Sequence, residues 1–140
     1  MTTSRDVMTK NPVCATPDDN VADVARLMKD NDIGPVPIVE GPSKKLVGIV
    51  TDRDLALKVV AEGRNPSSTK VRDVMTKDVV TCRADDEVED ALDAMSKNQL
   101  RRILVVDDSD TLVGIIAQAD IATRMNEPEK TGEVVKEISE

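Results

Sequence analysis

The chain has 140 residues and a formal net charge of −8, and it contains no Phe, Tyr, Trp or His. Without aromatic rings or a basic surface, base stacking and polyanion binding are excluded in their usual forms, and the core must be built from Val, Ile, Leu, Ala and Met. A chain of this size buries roughly 70% of its unfolded surface, enough for one compact body or two small halves sharing a core.

The longest runs of positive charge are Lys44-Lys45 and Arg101-Arg102, too little for a polyanion and enough for one phosphate. No apolar run approaches the ~20 residues of a membrane span, and the start MTTSRDVMTK lacks the apolar stretch of a signal peptide. The expectation is a cytoplasmic protein with neither nucleic acid nor membrane as partner. Cys14 and Cys82 have no neighbouring Cys or His to complete a metal set; they read as small buried residues.

The sequence repeats itself. Arg5-Asp6-Val7-Met8-Thr9-Lys10 recurs as Arg72-Asp73-Val74-Met75-Thr76-Lys77, and Leu46-Val47-Gly48-Ile49 recurs as Leu112-Val113-Gly114-Ile115. The domains so read are a first repeat over 1–63, a linker over 64–70, a second repeat over 71–126 and a charged tail over 127–140. Each copy is too small to be comfortably stable alone.

In chain order, residues 4–8 read as a helical turn capped by Ser4, with its counterpart over 71–75. Extended pieces follow near Val13-Cys14-Ala15 and Val79-Val80-Thr81. Thr16-Pro17-Asp18-Asp19 reads as a capping box opening a helix. Behind it Val21, Val24, Ala25 and Met28 form an apolar stripe, matched by Val88, Ala91, Leu92 and Met95. Asn31 and Asn98 stand where these helices should stop. Two hairpins come next, Val36–Val39 with Leu46–Val50 and Ile103–Val106 with Leu112–Ile116, whose unbroken apolar runs predict strands covered on both faces. A second helix runs from about Asp52 to Ala61, stopped by Gly63, and from about Gln118 to Met125, stopped before Pro128. In the tail, Val134, Val135 and Ile138 predict a last helical turn.

The strand-to-helix corner is where chemistry concentrates. Gly48-Ile49-Val50-Thr51-Asp52-Arg53-Asp54 ends a strand and opens a helix, and Asp120 holds the corresponding place after Gly114-Ile115-Ile116. An aspartate there can accept from a pair of sugar hydroxyls; equally, Thr51 and Asp54 have the spacing of a capping box. No catalytic constellation is present: no His, no Ser or Cys beside a base, no Walker loop and no metal cluster.

A tandem β-α-β-β-α repeat of this length, with Gly-hydrophobic-x-Thr-x-x-Asp between last strand and last helix, resembles the cystathionine-β-synthase (CBS) domain, two copies of which form a Bateman module. The resemblance spans roughly residues 4–125. It implies an α/β (α+β) fold of two CBS repeats packed by pseudo-twofold symmetry, acting as a non-enzymatic regulatory module. The ligand it implies is adenosine-containing: AMP, ADP, ATP, S-adenosylmethionine or a dinucleotide. Such a nucleotide is regulatory; no cofactor is obligatory. It also implies a homodimer and an unidentified regulated protein.

Carried over by residue, the first copy gives Thr51 and Asp54 for the ribose, with Arg53 available for phosphate. Its adenine slot would be Val13, Cys14 and Ala15 with Pro35, Val36 and Pro37. The second copy gives Asp120, a slot of Val80, Thr81 and Cys82 with Arg102, Ile103 and Leu104, and Arg101-Arg102 facing phosphate or standing as a solvated edge. It departs from the pattern at Ala117, where Thr is expected, and the first copy has Gly34-Pro35 in place of the arginine pair. A carboxylate–diol pair with one or two charge-assisted phosphate bonds, each about 1.5–3 kcal/mol, approaches the roughly −8 kcal/mol of micromolar binding. The alternative is a structural or interaction protein with vestigial pockets.

Overall fold

The computed structural model describes residues 2–124. The expected last helical turn of the tail and the stop before Pro128 lie outside them. The elements are α1 (Ser4–Val7), β1 (Thr9–Lys10), α2 (Val21–Asn31), β2 (Pro35–Glu40), β3 (Lys45–Thr51) and α3 (Asp52–Leu55), which continues as a π-helical turn, Ala56–Val60. After a 3-10 turn at Val71–Asp73 come β4 (Thr81–Arg83), α4 (Val88–Lys97), β5 (Arg102–Val106), β6 (Leu112–Ala117) and α5 (Gln118–Arg124). This is the mixed α/β class expected.

Two compact units form, and neither follows the order of the repeats. The first-repeat unit is Val13–Val79; the second-repeat unit joins the N-terminal segment through Pro12 to the chain from Val80 onward. Each hairpin thus carries at its edge the opening segment of the other repeat. In the second-repeat unit the sheet order is β1-β6-β5-β4, with β4 and β5 parallel and the other pairs antiparallel. In the first-repeat unit the β2–β3 hairpin is extended by Ala15 beside Ile38 and Thr76 beside Ile49. Thr76 and Ile49 exchange both backbone hydrogen bonds at 2.9 Å.

The repeated opening docks by a repeated set of bonds. Ser4 and Arg5 N–H donate to Asp86 and Ala84 carbonyls at 2.8 and 3.0 Å; Val71 and Arg72 N–H donate to Asp19 and Pro17 at 2.9 and 3.0 Å. Ion pairs Arg5–Asp85 and Arg72–Asp18 close each contact at the surface. The docking also explains the glycine of Leu-Val-Gly-Ile. A Cβ on Gly48 would stand 2.9 Å from the Thr76 carbonyl oxygen and 3.0 Å from Met75 Sδ. On Gly114 it would meet the Thr9 carbonyl oxygen at 2.9 Å and run into Met8. The opening segment lies directly on the strand, so no side chain fits beneath it.

Several local expectations change. Ser4 is not a cap: it is fully buried, and the cap is Thr3, whose N–H and hydroxyl donate to Asp6 Oδ2 at 2.9 and 3.1 Å. Thr16–Asp19 closes a turn, with Thr16 N–H on Asp19 Oδ2 at 2.9 Å, but α2 starts only at Val21 behind Asn20. Arg83 and Asp86 repeat that turn at 2.9 Å ahead of α4. The stripe on α2 is Val21, Val24 and Met28 with Leu27 packed alongside, while Ala25 is exposed; on α4 the expected four are all buried. Asn31 and Asn98 stand at the helix ends, donating from Nδ2 to the carbonyls of Leu27 and Ala94 at 2.9 and 2.8 Å. The chain leaves each helix at the next residue, Asp32 and Gln99, which turn left-handed at φ 53° and 54°. Only β2 and β5 are covered on both faces; β3 and β6 alternate, leaving Val47, Ile49, Val113 and Ile115 half-buried.

Candidate functional site

In the first-repeat unit, β3 turns into α3 at Thr51. Asp54 N–H donates to Thr51 Oγ1 at 3.2 Å and Thr51 N–H donates to Asp54 Oδ2 at 2.9 Å, so the pair is a reciprocal capping box. The other carboxylate oxygen is also engaged: Lys58 Nζ lies 3.3 Å from Asp54 Oδ1, one helical turn on. Lys58 also donates to the Val74 carbonyl at 3.0 Å. The Asp54 side chain is 16% exposed, so both its charge and its approach are held. Gly34 sits against Asp52, whose N–H donates to the Gly34 carbonyl at 3.0 Å; a Cβ at Gly34 would stand 3.3 Å from Asp52 Oδ2.

The register brings Pro35 opposite Thr51, Val36 opposite Val50 and Pro37 opposite Ile49. Ala15 is tied alongside, its N–H on Pro37 O at 3.0 Å. Thr51, Pro35, Pro37 and Ala15 therefore share one end of this sheet. Val36 and Ala15 belong to the apolar core, which leaves them backbone groups to offer; Val13 and Cys14 are half-buried and Arg53 is exposed.

The second-repeat corner is built differently. Ala117 N–H donates to Asp120 Oδ2 at 3.3 Å, and so does Thr9 Oγ1 from β1, also at 3.3 Å. A hydroxyl is thus present, supplied by the N-terminal segment. Arg102 pairs with Ala117, Ile103 with Ile116, and Thr81 runs beside Leu104. Arg101 and Arg102 are exposed, Thr81 is exposed, and Val80 is partly buried. Cys82, Ile103 and Leu104 are buried. The Cys82 thiol donates to Ser4 Oγ at 3.8 Å, and burial pushes its pKa up, so it is an uncharged core group at neutral pH.

Two residues at these corners escaped the sequence reading. Lys58 had a signal, its i+4 spacing from Asp54. Thr9 had none, because its partner lies 111 residues away. A cleft of about 320 Å³ opens in the first-repeat unit between Pro17, Glu40, Val47, Arg72, Asp73, Met75 and Lys77; none of the expected site residues lines it. Among the described residues no cluster of His, Cys, Asp or Glu is arranged for a metal ion, and no helix is long and apolar enough to cross a membrane.

The model of the CBS domain matches residues 5–61 and 71–127. Uncharacterized protein YlbB of Bacillus subtilis is 39% identical over 140 residues, covering 100% of this chain and 93% of its own. The crystal structure of Hypoxic Response Protein I with two coordinated zinc ions superposes with a TM-score of 0.79 at 31% identity, over 89% of this chain and 99% of that one. The CBS domain pair of protein MJ0100, in complex with 5′-methylthioadenosine and S-adenosyl-L-methionine, gives 0.74 at 31% identity over 88% and 94%. CBSX2 in complex with AMP gives 0.74 at 26% identity over 88% and 95%.

Proposed function

This chain belongs to the CBS-domain family as a tandem pair, and from that premise we propose that it is a non-enzymatic, cytoplasmic regulatory module whose strand-to-helix corners bind an adenosine-containing ligand. The observation carrying this reading is the aspartate at each corner, Asp54 and Asp120, each folded back onto the N–H of the residue ending its strand. That bond fixes the carboxylate at the tip of the strand, where a ribose diol can donate to it. The CBS pairs most informative here hold AMP, S-adenosylmethionine and methylthioadenosine, ligands that share an adenine and a ribose diol while differing at the 5′ position.

The remaining residues take supporting roles. Pro35, Val36 and Pro37 with Val13, Cys14 and Ala15 offer backbone groups and aliphatic surface to the adenine of the first site; Val80, Thr81, Cys82, Ile103 and Leu104 do so for the second. Arg53, Arg101 and Arg102, all exposed, can swing toward a 5′-phosphate without leaving a buried site. Leu57 and Val60, 50% and 74% exposed, give the chain an apolar surface suited to pairing as a homodimer.

Titration calorimetry with AMP, ATP and 2′-deoxy-AMP tests the reading, using Asp54→Asn and Asp120→Asn so that an oxygen remains to cap the helix. Binding that weakens in the deoxy ligand and in the variants is expected. A second reading, a structural or interaction protein, draws on the occupied carboxylate of Asp54 and the exposed Leu57 and Val60. It predicts no heat from any adenosine compound in a folded protein.

A further inference from the structure

Asp54 differs from Asp120 in what its carboxylate touches, and the difference bears on how the first site works. Oδ2 of Asp54 accepts the Thr51 N–H at 2.9 Å, while Oδ1 faces the Lys58 ammonium at 3.3 Å. The same ammonium donates to the Val74 carbonyl at 3.0 Å. A diol that grips this carboxylate through both oxygens needs the one not bonded to the Thr51 N–H, and that is the oxygen Lys58 faces. The carboxylate is mostly covered, at 16% exposure, whereas Lys58 is 44% exposed and sits on a flexible stem. The lysine can therefore leave for solvent more readily than the aspartate can find another partner.

We propose that Lys58 is an internal occupant of the first diol site: a sugar binds at Asp54 by displacing the ammonium, and the displacement releases Val74. This rests on the reading of Asp54 as a ribose-binding group and adds to it a competitor and an output. Val74 closes the turn over Val71–Asp73: the amides of Val74 and Met75 both donate to the Val71 carbonyl, at 3.0 and 2.9 Å. Loss of the lysine bond removes one side-chain tether from that turn, leaving the Arg72–Asp18 ion pair as another. Occupancy of the sugar site is then reported to the segment that docks on the Pro17–Asp19 turn and on β3. Lys58 is thus a specificity-determining group, since a ligand that does not supply donors to replace the ammonium cannot dislodge it.

The test uses adenosine, which has the diol and no phosphate, and 5′-AMP. In an Asp120→Asn background, Lys58→Met should tighten both ligands about two- to tenfold, the range set by removing one partly screened ion pair. Lys58→Gln should do the same, and Lys58→Arg should not. Hydrogen exchange at Val74 and Met75 should be faster in ligand-free Lys58→Met and, equally, in adenosine-bound wild type. Unchanged adenosine affinity in both neutral variants overturns the proposal while leaving the diol site standing. Weaker 5′-AMP binding with adenosine unaffected also overturns it, making Lys58 a phosphate ligand. If adenosine and 5′-AMP bind neither wild type nor any variant, the diol site and the proposal fall together.

Discussion

At the residue scale, the chain uses one device repeatedly: an aspartate bonded to the backbone N–H three residues before it. It appears at Thr3/Asp6, Thr16/Asp19, Thr51/Asp54, Arg83/Asp86 and Ala117/Asp120. The bond recurs at helix starts and turns, so by itself it marks a turn; what sets Asp54 and Asp120 apart is their place after the last strand of each hairpin. Asp6 and Asp18 show the electrostatic side. Backbone and hydroxyl bonds from Thr3 lower the pKa of Asp6, and the Arg72 guanidinium lowers that of Asp18. A depressed folded pKa gives stability that is complete above the unfolded value of about 3.9 and is lost as pH falls through the folded value. Asp18→Asn should therefore lower the urea midpoint at pH 7 and leave a smaller difference from wild type at pH 2.5. An equal difference at both pH values would refute this. The glycines give a sharper prediction: Gly48→Ala and Gly114→Ala should each cost about 1–3 kcal/mol in urea unfolding, because the Cβ meets backbone oxygen and a packed methionine. Sequence showed that Gly48 and Gly114 recur; it did not show why, since the chain lying on them comes from the other repeat.

At the scale of elements, hairpins, helices and stops were legible because their signals are local. Apolar runs, turn residues and the two asparagines placed β2, β3, β5 and β6 and ended α2 and α4 close to where they lie. The helix starts were less legible, because Thr-Pro-Asp-Asp satisfies the pattern of a cap while the backbone first completes a separate turn. The partnership of the openings was not legible at all. Residues 5–10 and 72–77 are identical, so neither one's composition tells which sheet edge it takes. The structure commits the N-terminal segment to β6 through Thr9 and Lys10. Deleting residues 1–10 should accordingly expose the β6 edge and the Met8 seat on Gly114, speeding hydrogen exchange in β5 and β6 far more than in β2 and β3. Faster exchange centred on β2 and β3 would show that the segment serves the first-repeat unit instead.

For the whole molecule, the absence of aromatic residues narrows recognition to backbone groups, aliphatic surface and a few charges. A ribose diol, a phosphate and an adenine edge are the sort of ligand such a surface can hold. The aspartates were readable from sequence at both corners and Lys58 was signalled by its i+4 spacing from Asp54, whereas the hydroxyl of Thr9 emerges only when the chain is folded. The proposed pairing through Leu57 and Val60 predicts that wild type sediments as a dimer and that substituting both by Asp yields a monomer; a monomeric wild type, or a dimer that survives both substitutions, would contradict it. The central claim is that Asp54 and Asp120 hold a sugar diol, and the most direct measurement is calorimetric titration of adenosine against 2′-deoxyadenosine. Adenosine should bind wild type at least tenfold more tightly than the deoxy form, about 1.4 kcal/mol, and that preference should disappear in the Asp54→Asn/Asp120→Asn double variant. Equal affinity for the two nucleosides, or a preference that survives in the double variant, would contradict it.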